Sequence, residues 1–130
     1  MLEADPLVPG VRAGPNPTHR MRLHALDAWV RNVSVLTDED ELRATLRAGA
    51  EAGRATVLGE EFHVFPNGAV TGVLVLAQSH LSIHTWPEYA LANVDLLTYG
   101  DVSGEAVLRV ISERLDVERS QTTCIPRAVG

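Results

Sequence analysis

The sequence predicts an α+β fold, a two-layer sandwich in which a mainly antiparallel sheet carries two helices on one face. Two observations lead to this prediction. Strand-like runs separated by short turn signals fill the middle of the chain, and two flanking segments repeat apolar residues at helical spacing. A helix with one apolar stripe must bury that stripe against another element, so both helices are expected to pack on the sheet.

The first third of the chain predicts one strand and one helix. Residues 22–30 alternate imperfectly between apolar and polar, and Trp29 adds β propensity. Thr37 and Asp38 are suited to cap a helix, and the acidic residues that follow favour its positive N-terminal end. This helix is expected to end near Gly53, and its apolar stripe repeats every four residues at Leu42, Leu46 and Ala50.

The rest of the chain predicts four more strands, one further helix and a last strand. The β-rich runs "ATVLGEEFHVF" and "AVTGVLVLAQ" flank the turn "PNG" at residues 66–68, as in an antiparallel hairpin. The run "SHLSIHTW" continues as a strand until Pro87, and "LANVDLLTY" supplies another that ends at Gly100. Ser103 can cap the second helix, whose apolar stripe is Leu108, Ile111 and Leu115. The run "DVERSQTTCI" is expected to be the last strand.

Length and composition predict one domain preceded by an arm. The chain has 130 residues, of which 45% are hydrophobic, enough for a single core. Residues 1–19 hold four of the seven prolines and show little periodicity, so they are predicted to form a flexible arm before a domain at 20–130. The sheet face that the helices leave open must meet solvent or another subunit, and a homodimer is therefore expected.

Composition also argues against several classes of function. The formal charge is −6 and the basic residues are scattered, so a small cationic ligand suits the chain better than nucleic acid does. No apolar run approaches the roughly 20 residues of a membrane helix and no secretory signal is visible, which predicts a cytoplasmic protein without membrane contact. All eleven basic residues are arginine, so no lysine can bind pyridoxal phosphate, and chemistry on amino groups would need another electrophile.

Residues 78–89, "QSHLSIHTWPEY", concentrate groups that could carry chemistry. His80 and His84 cannot share a metal if the segment is a strand, because four residues then span about 13 Å. With Cys124 as the only cysteine, no metal site is predicted. A serine hydrolase with Ser79 or Ser82 as nucleophile and His84 as base is the second alternative, although the glycine-flanked elbow of such enzymes is missing.

Taken whole, "SHLSIHTWPEY" closely resembles the signature of the bacterial S-adenosylmethionine decarboxylase proenzymes. The resemblance continues through "FHVFPNGAVTGVLVLAQ" and "VDLLTYG" and covers about residues 21–115. It implies a self-processing, pyruvoyl-dependent α-decarboxylase of polyamine and spermidine biosynthesis that acts on a small amino-acid-type substrate.

The resemblance also implies how the cofactor would be made. The Ser79 hydroxyl would attack the Gln78 carbonyl, and the chain would be cut between the two residues, leaving a pyruvoyl group that forms a Schiff base with the substrate. His84 and Thr71 match the positions that the family uses for processing and proton transfer. Ser79 and His84 are five residues apart, so a regular strand would place them on opposite faces, and a bulge or sharp bend near the scissile bond is expected.

The substrate is the open question. Phe65 and Glu88 match the aromatic and the ribose-binding carboxylate of the family's pocket and favour S-adenosylmethionine. The family's proton-donating cysteine, however, is replaced by Tyr99, whose free pKa of ~10 against ~8.5 makes it a weaker acid. Relatives that look repurposed for L-ornithine or L-arginine would fit this replacement and the negative charge, and we favour that interpretation. S-adenosylmethionine itself and a catalytically silent regulatory homologue are the alternatives.

Overall fold

The computed structural model describes residues 21–128. The predicted arm, residues 1–19, lies outside this range. Two short 3-10 helices, Val33–Thr37 and Pro87–Tyr89, lie between the main elements. The main elements are β1 Met21–Val30, α1 Glu39–Ala52, β2 Val57–Val64, β3 Val70–Leu76, β4 Ser79–Trp86, β5 Leu91–Tyr99, α2 Gly104–Leu115 and β6 Val117–Arg127.

The strands form one antiparallel sheet in the order β2, β3, β4, β5, β1, β6. The two helices contact each other, and α1 also contacts β3 and β4 while α2 contacts β1 and β6. Every second residue of the central strands is buried beneath them. The predicted two-layer α+β sandwich is therefore confirmed, and we call the sheet face without helices the open face.

Both predicted helix starts and both apolar stripes are confirmed. The Asp38 carboxylate accepts a hydrogen bond from the Glu41 amide at 3.1 Å, and the Ser103 hydroxyl accepts one from the Ala106 amide at 3.2 Å. A β-carbon on Gly49 would lie 2.9 Å from the Ile111 side chain, so glycine lets the helices approach closely. The stripes are buried at Leu42, Leu46 and Ala50 of α1 and at Leu108, Ile111 and Leu115 of α2.

Two local predictions are corrected by the structure. Thr37 does not cap α1 but ends a 3-10 helix, where its hydroxyl donates to the Ser34 carbonyl at 3.2 Å. The third strand does not run on to Gln78, because Leu76 pairs with Ser79 and leaves only Ala77 and Gln78 to form a two-residue turn. Residue-level propensity did not reveal either feature, because the first depends on where the 3-10 helix ends and the second on which strands pair.

Thr85 shows that part of the 78–89 motif serves packing. Its side chain is fully buried, and its hydroxyl accepts a hydrogen bond from the Val70 amide at 2.9 Å. The same hydroxyl donates to the Leu36 carbonyl at 2.8 Å. Thr85 therefore ties β4 both to the start of β3 and to the 3-10 helix that precedes α1.

Replacing Thr85 by valine should lower the free energy of unfolding by about 1–3 kcal/mol, because the shape is kept while a buried amide and a carbonyl lose their partner. Urea denaturation followed by circular dichroism measures this. Thr123→Val on the exposed strand β6 is the matched control and should change stability by less than about 0.5 kcal/mol. Equal effects of the two substitutions would contradict the structural role of Thr85.

Candidate active site

One row of polar side chains crosses the open face of the sheet. The strand register places one polar residue from each strand at the same level, and neighbouring members are direct cross-strand partners. Such partners have Cβ atoms about 4.5–5.5 Å apart and can interact. In spatial order this polar row consists of His63, Thr71, His84, Asn93, Asp27 and Gln121.

The polar row brings Thr71 and His84 together, as the family resemblance implies for two processing residues. Thr71 Oγ1 lies 2.6 Å from His84 Nδ1. The imidazole lies between two aromatic rings in edge-on contact, with centroid distances of 4.4 Å to Trp86 and 6.0 Å to Phe65. Because this hydrogen bond uses Nδ1, proton exchange with another molecule or with the chain would use Nε2 of His84.

Phe65 contacts the His84 ring on the open face, and Glu88 follows Trp86 by two residues. Phe65 follows β2 and is 38% exposed, as is Trp86 at the end of β4. Glu88 is exposed in the 3-10 helix after β4, whose Tyr89 ring lies 6.5 Å from that of Trp86. Exposed aromatic faces can stack a flat or cationic group, and an exposed carboxylate can accept hydrogen bonds from a ligand.

The predicted cleavage position lies at the opposite end of β4. Gln78 has a φ of +59°, in the left-handed region, which costs a residue other than glycine about 1–3 kcal/mol. The next residue, Ser79, is half-buried, and its hydroxyl donates to the Leu97 carbonyl on β5. Tyr99 is also half-buried and ends β5 at the same end of the sheet.

The structure does not bring Ser79 and His84 together within one chain. A sharp bend is present at Gln78, but it precedes Ser79, and the register of β4 with β3 is regular from Ser79 to His84. Five strand residues span about 16 Å. Alternation also places Ser79 on the helix-covered side with Leu81, and His84 on the open face. The predicted catalytic residues Ser79 and His84 therefore lie at opposite ends of β4 and on opposite faces of the sheet.

Sequence reasoning missed another imidazole, which lies on the helix-covered side. His24 Nε2 lies 3.1 Å from Thr98 Oγ1, and the ring packs so closely on Gly104 that a β-carbon there would lie 2.5 Å from Nε2. Burial, helped by the positive charge of Arg22, lowers the pKa of His24 and thereby favours the neutral imidazole. The one available signal was its alternation with Leu26 along β1.

The polar row members Asp27 and Asn93 were missed as well, together with the role of Trp86. No spacing in the sequence relates these residues, because they come from three strands whose register is decided only by folding. Among residues 21–128, no three His, Cys, Asp or Glu side chains lie close enough to hold a metal ion. In the same range no helix has the length and apolarity needed to cross a membrane.

Comparison with known proteins gives a consistent family. The family model described as S-adenosylmethionine decarboxylase matches residues 22–128. The S-adenosylmethionine decarboxylase proenzyme of Pseudomonas paraeruginosa is 41% identical over 90 residues, which are 68% of this chain and 56% of that protein. The proenzyme of Hydrogenobaculum sp. is 43% identical over 83 residues, 62% of this chain and 61% of that one.

A solved structure shows the same architecture. The crystal structure of the adenosylmethionine decarboxylase from Aquifex aeolicus superimposes with a TM-score of 0.79 at 26% sequence identity. The match covers 86% of this chain and 93% of that one. The chain spans 56% of the length of the Pseudomonas relative that it matches. With fold, motif and family model in agreement, the chain belongs to the S-adenosylmethionine decarboxylase family.

Proposed function

We propose that this chain is a proenzyme that cuts itself between Gln78 and Ser79 and then acts as a pyruvoyl-dependent α-decarboxylase in cytoplasmic polyamine synthesis. The observation that carries the proposal is the turn before β4. It places a left-handed, non-glycine residue directly at the scissile bond, in a chain of this family. Cleavage there would relieve the strain and would leave the ladders of β3 and β4 intact.

The first half of the reaction moves the Gln78 acyl group from nitrogen to oxygen. Ser79 Oγ bonds to the Gln78 carbonyl carbon through a five-membered ring, the C–N bond breaks, and the hydroxyl proton ends on the released amine. The hydroxyl must first leave its hydrogen bond to the Leu97 carbonyl by rotating about χ1. A hydrogen-bond donor near the developing oxyanion would lower the barrier to this step.

The second half releases the two chains. Loss of the Ser79 α-proton to a base breaks the Cβ–O bond and leaves a carboxylate on Gln78. Water then replaces the amino group, ammonia leaves, and a pyruvoyl group remains at the start of β4. That group supplies an electrophilic carbonyl able to take up the electron pair released with carbon dioxide, a role that no lysine could support here through pyridoxal phosphate.

The residues of the open face would then bind the substrate and transfer protons. The Thr71–His84 pair can exchange a proton through the imidazole, a group suited to general acid–base catalysis. Phe65 offers an exposed ring against the substrate, and Glu88 offers a carboxylate to its hydroxyl or ammonium groups. Tyr99, the last residue of β5, matches by sequence resemblance the position from which the family supplies a proton.

We also propose a homodimer of cleaved protomers packed through the open face. Ser79 and His84 lie about 16 Å apart along one strand, so a second chain would have to supply the missing group. Exposed apolar residues on the open face, Val75 at 50% and Ile125 at 45%, support such packing. The Thr71–His84 pair of one protomer would then serve the Ser79 of the other at the exposed Ala77–Gln78 turn, once the Ser79 hydroxyl has rotated away from the helix-covered side.

For the substrate we favour L-ornithine or L-arginine, because Tyr99 replaces the family's stronger acid and the net charge is −6. The second candidate is S-adenosylmethionine. The observation in its favour is the aromatic surface formed by Phe65, His84 and Trp86, beside which Glu88 could accept hydrogen bonds from ribose hydroxyls. All three compounds carry an α-amine and a carboxylate, as the proposed chemistry requires.

Intact-mass spectrometry should show two fragments, residues 1–78 and 79–130, the second lighter than a serine-initiated chain by one ammonia. Ser79→Ala should remain a single chain because it lacks the attacking oxygen. Ser82→Ala, which removes a hydroxyl from the open face of the same strand, should be cut like the parent protein. Decarboxylation by a protein that stays uncut would contradict the proposal.

Mixing two inactive variants tests the proposed dimer. A His84→Ala chain should not be cut alone, but it should be cut when it is co-expressed with a Ser79→Ala chain that supplies an intact His84. Mass spectrometry distinguishes the two chains. His80→Ala, four residues earlier on the same face, should process normally by itself. If the His84→Ala chain stays uncut in the mixture, the complementary arrangement is wrong.

Substrate choice is tested by assaying release of carbon dioxide from L-ornithine, L-arginine and S-adenosylmethionine side by side. We expect kcat/KM for one of the two amino acids to exceed that for S-adenosylmethionine by at least about tenfold, or about 1.4 kcal/mol. If only S-adenosylmethionine reacts, our preference is wrong, and Tyr99→Cys should then raise its rate. Release from none of the three by a properly cut protein would indicate the regulatory alternative.

A further inference from the structure

A hydrogen-bonded chain runs from the polar row to the ring that touches His84. Trp86 Nε1 donates to Asn93 Oδ1 at 2.6 Å, and Asn93 Nδ2 donates to Asp27 Oδ1 at 2.8 Å. Asp27 and Asn93 are direct cross-strand partners on β1 and β5, and Asn93 is the partner of His84 on β4. Asp27 and Asn93 have no part in the chemistry described above, and Trp86 enters it only as one ring of the aromatic surface.

The chemistry of the three side chains fixes the direction of this chain. An indole N–H only donates hydrogen bonds, and an ionised carboxylate only accepts them. A side chain that bridges the two must therefore accept a hydrogen bond from the indole and donate one to the carboxylate. The Asn93 amide has both functions, and its oxygen must face Trp86 while its nitrogen faces Asp27. One carboxylate thereby determines the orientation of the amide and, through it, of the indole.

The indole in turn borders the His84 imidazole. The Trp86 and His84 rings meet edge-on with their centroids 4.4 Å apart. The Phe65 ring also meets the His84 ring edge-on, with a centroid distance of 6.0 Å. Trp86 is 38% exposed, so packing alone holds its ring only in part. The hydrogen bond to Asn93 adds a directional contact to the indole, and the indole borders the imidazole that meets Thr71.

We propose that Asp27 and Asn93 are positioning residues for His84, acting through the indole of Trp86. They keep the imidazole in the orientation in which Nδ1 meets Thr71 and Nε2 is presented for proton transfer. The consequence for catalysis rests on the proposed function, whereas the orientation of the ring does not. A displacement of about 1 Å in a reacting group can cost about 100-fold in rate.

The first test compares self-cleavage and decarboxylation rates among full-length variants. Asp27→Leu should lower both rates about 10- to 100-fold, and Asp27→Asn, which keeps an acceptor oxygen for Asn93, should lower them much less. Trp86→Phe keeps a ring but loses the N–H. Adding Asp27→Leu to Trp86→Phe should therefore cost little more, because both changes interrupt one chain.

Asp95 provides the matched control. It is an exposed carboxylate on the same face of β5 as Asn93, two residues away, and no hydrogen bond of its side chain is formed within the described part of the chain. Asp95→Leu makes the same chemical change as Asp27→Leu, and we expect it to leave both rates within about twofold of the parent, as for most surface substitutions. Equal losses for the two variants would overturn the positioning role.

The second test observes the ring directly and does not require activity. In the uncut Ser79→Ala chain, nitrogen-15 NMR of His84 should show one dominant tautomer at neutral pH, and Asp27→Leu or Trp86→Phe should give averaged ring-nitrogen shifts. Unchanged His84 signals in both variants would overturn the proposal even if the parent protein is active. If the parent is neither cut nor active, the proposed function fails, and this measurement still decides the positioning role.

Discussion

The burial of one face of the sheet beneath α1 and α2 is the constraint on which the rest of the molecule depends. Because side chains alternate along a strand, burying Leu81, Ile83 and Thr85 of β4 necessarily places His84 and Trp86 on the other face. If β4 shifted by one residue against its neighbours, its buried side chains would become exposed and its exposed side chains would become buried. Packing of the core therefore fixes the strand register that aligns the polar row. The site is thus a consequence of the packing on its opposite side.

The 78–89 motif combines three physical roles in one strand and its flanks. Its alternate apolar residues fill the core, and Thr85 satisfies two backbone groups of neighbouring segments. The strand positions between them face the open side, where His84 meets Thr71. The strained Gln78 stands at the boundary between turn and strand. A motif of this kind is dense because one strand must meet packing, hydrogen-bonding and chemical requirements together.

Strain and reactive groups are separated along β4. The left-handed residue and the hydroxyl of Ser79 lie at its start, while the imidazole and the aromatic rings lie near its end. In a rigid antiparallel sheet such a distance cannot be closed by side-chain rotation, since a serine side chain reaches only a few ångströms from its backbone. The structure therefore separates the proposed cleavage position from the imidazole suited to proton transfer, and this separation is the physical basis for proposing a second protomer.

The sequence by itself determined the element order, the helix caps and the buried stripes, because capping and periodicity are local properties that a short window contains. The resemblance of its central motif also indicated the family. Only the tertiary structure decided that Asp27, Asn93 and His84 share a row, since the register between strands far apart in the chain depends on how the whole sheet pairs. It also placed Ser79 and His84 on opposite faces, because the bend near the scissile bond lies at Gln78, before Ser79, and the strand is regular from Ser79 to His84.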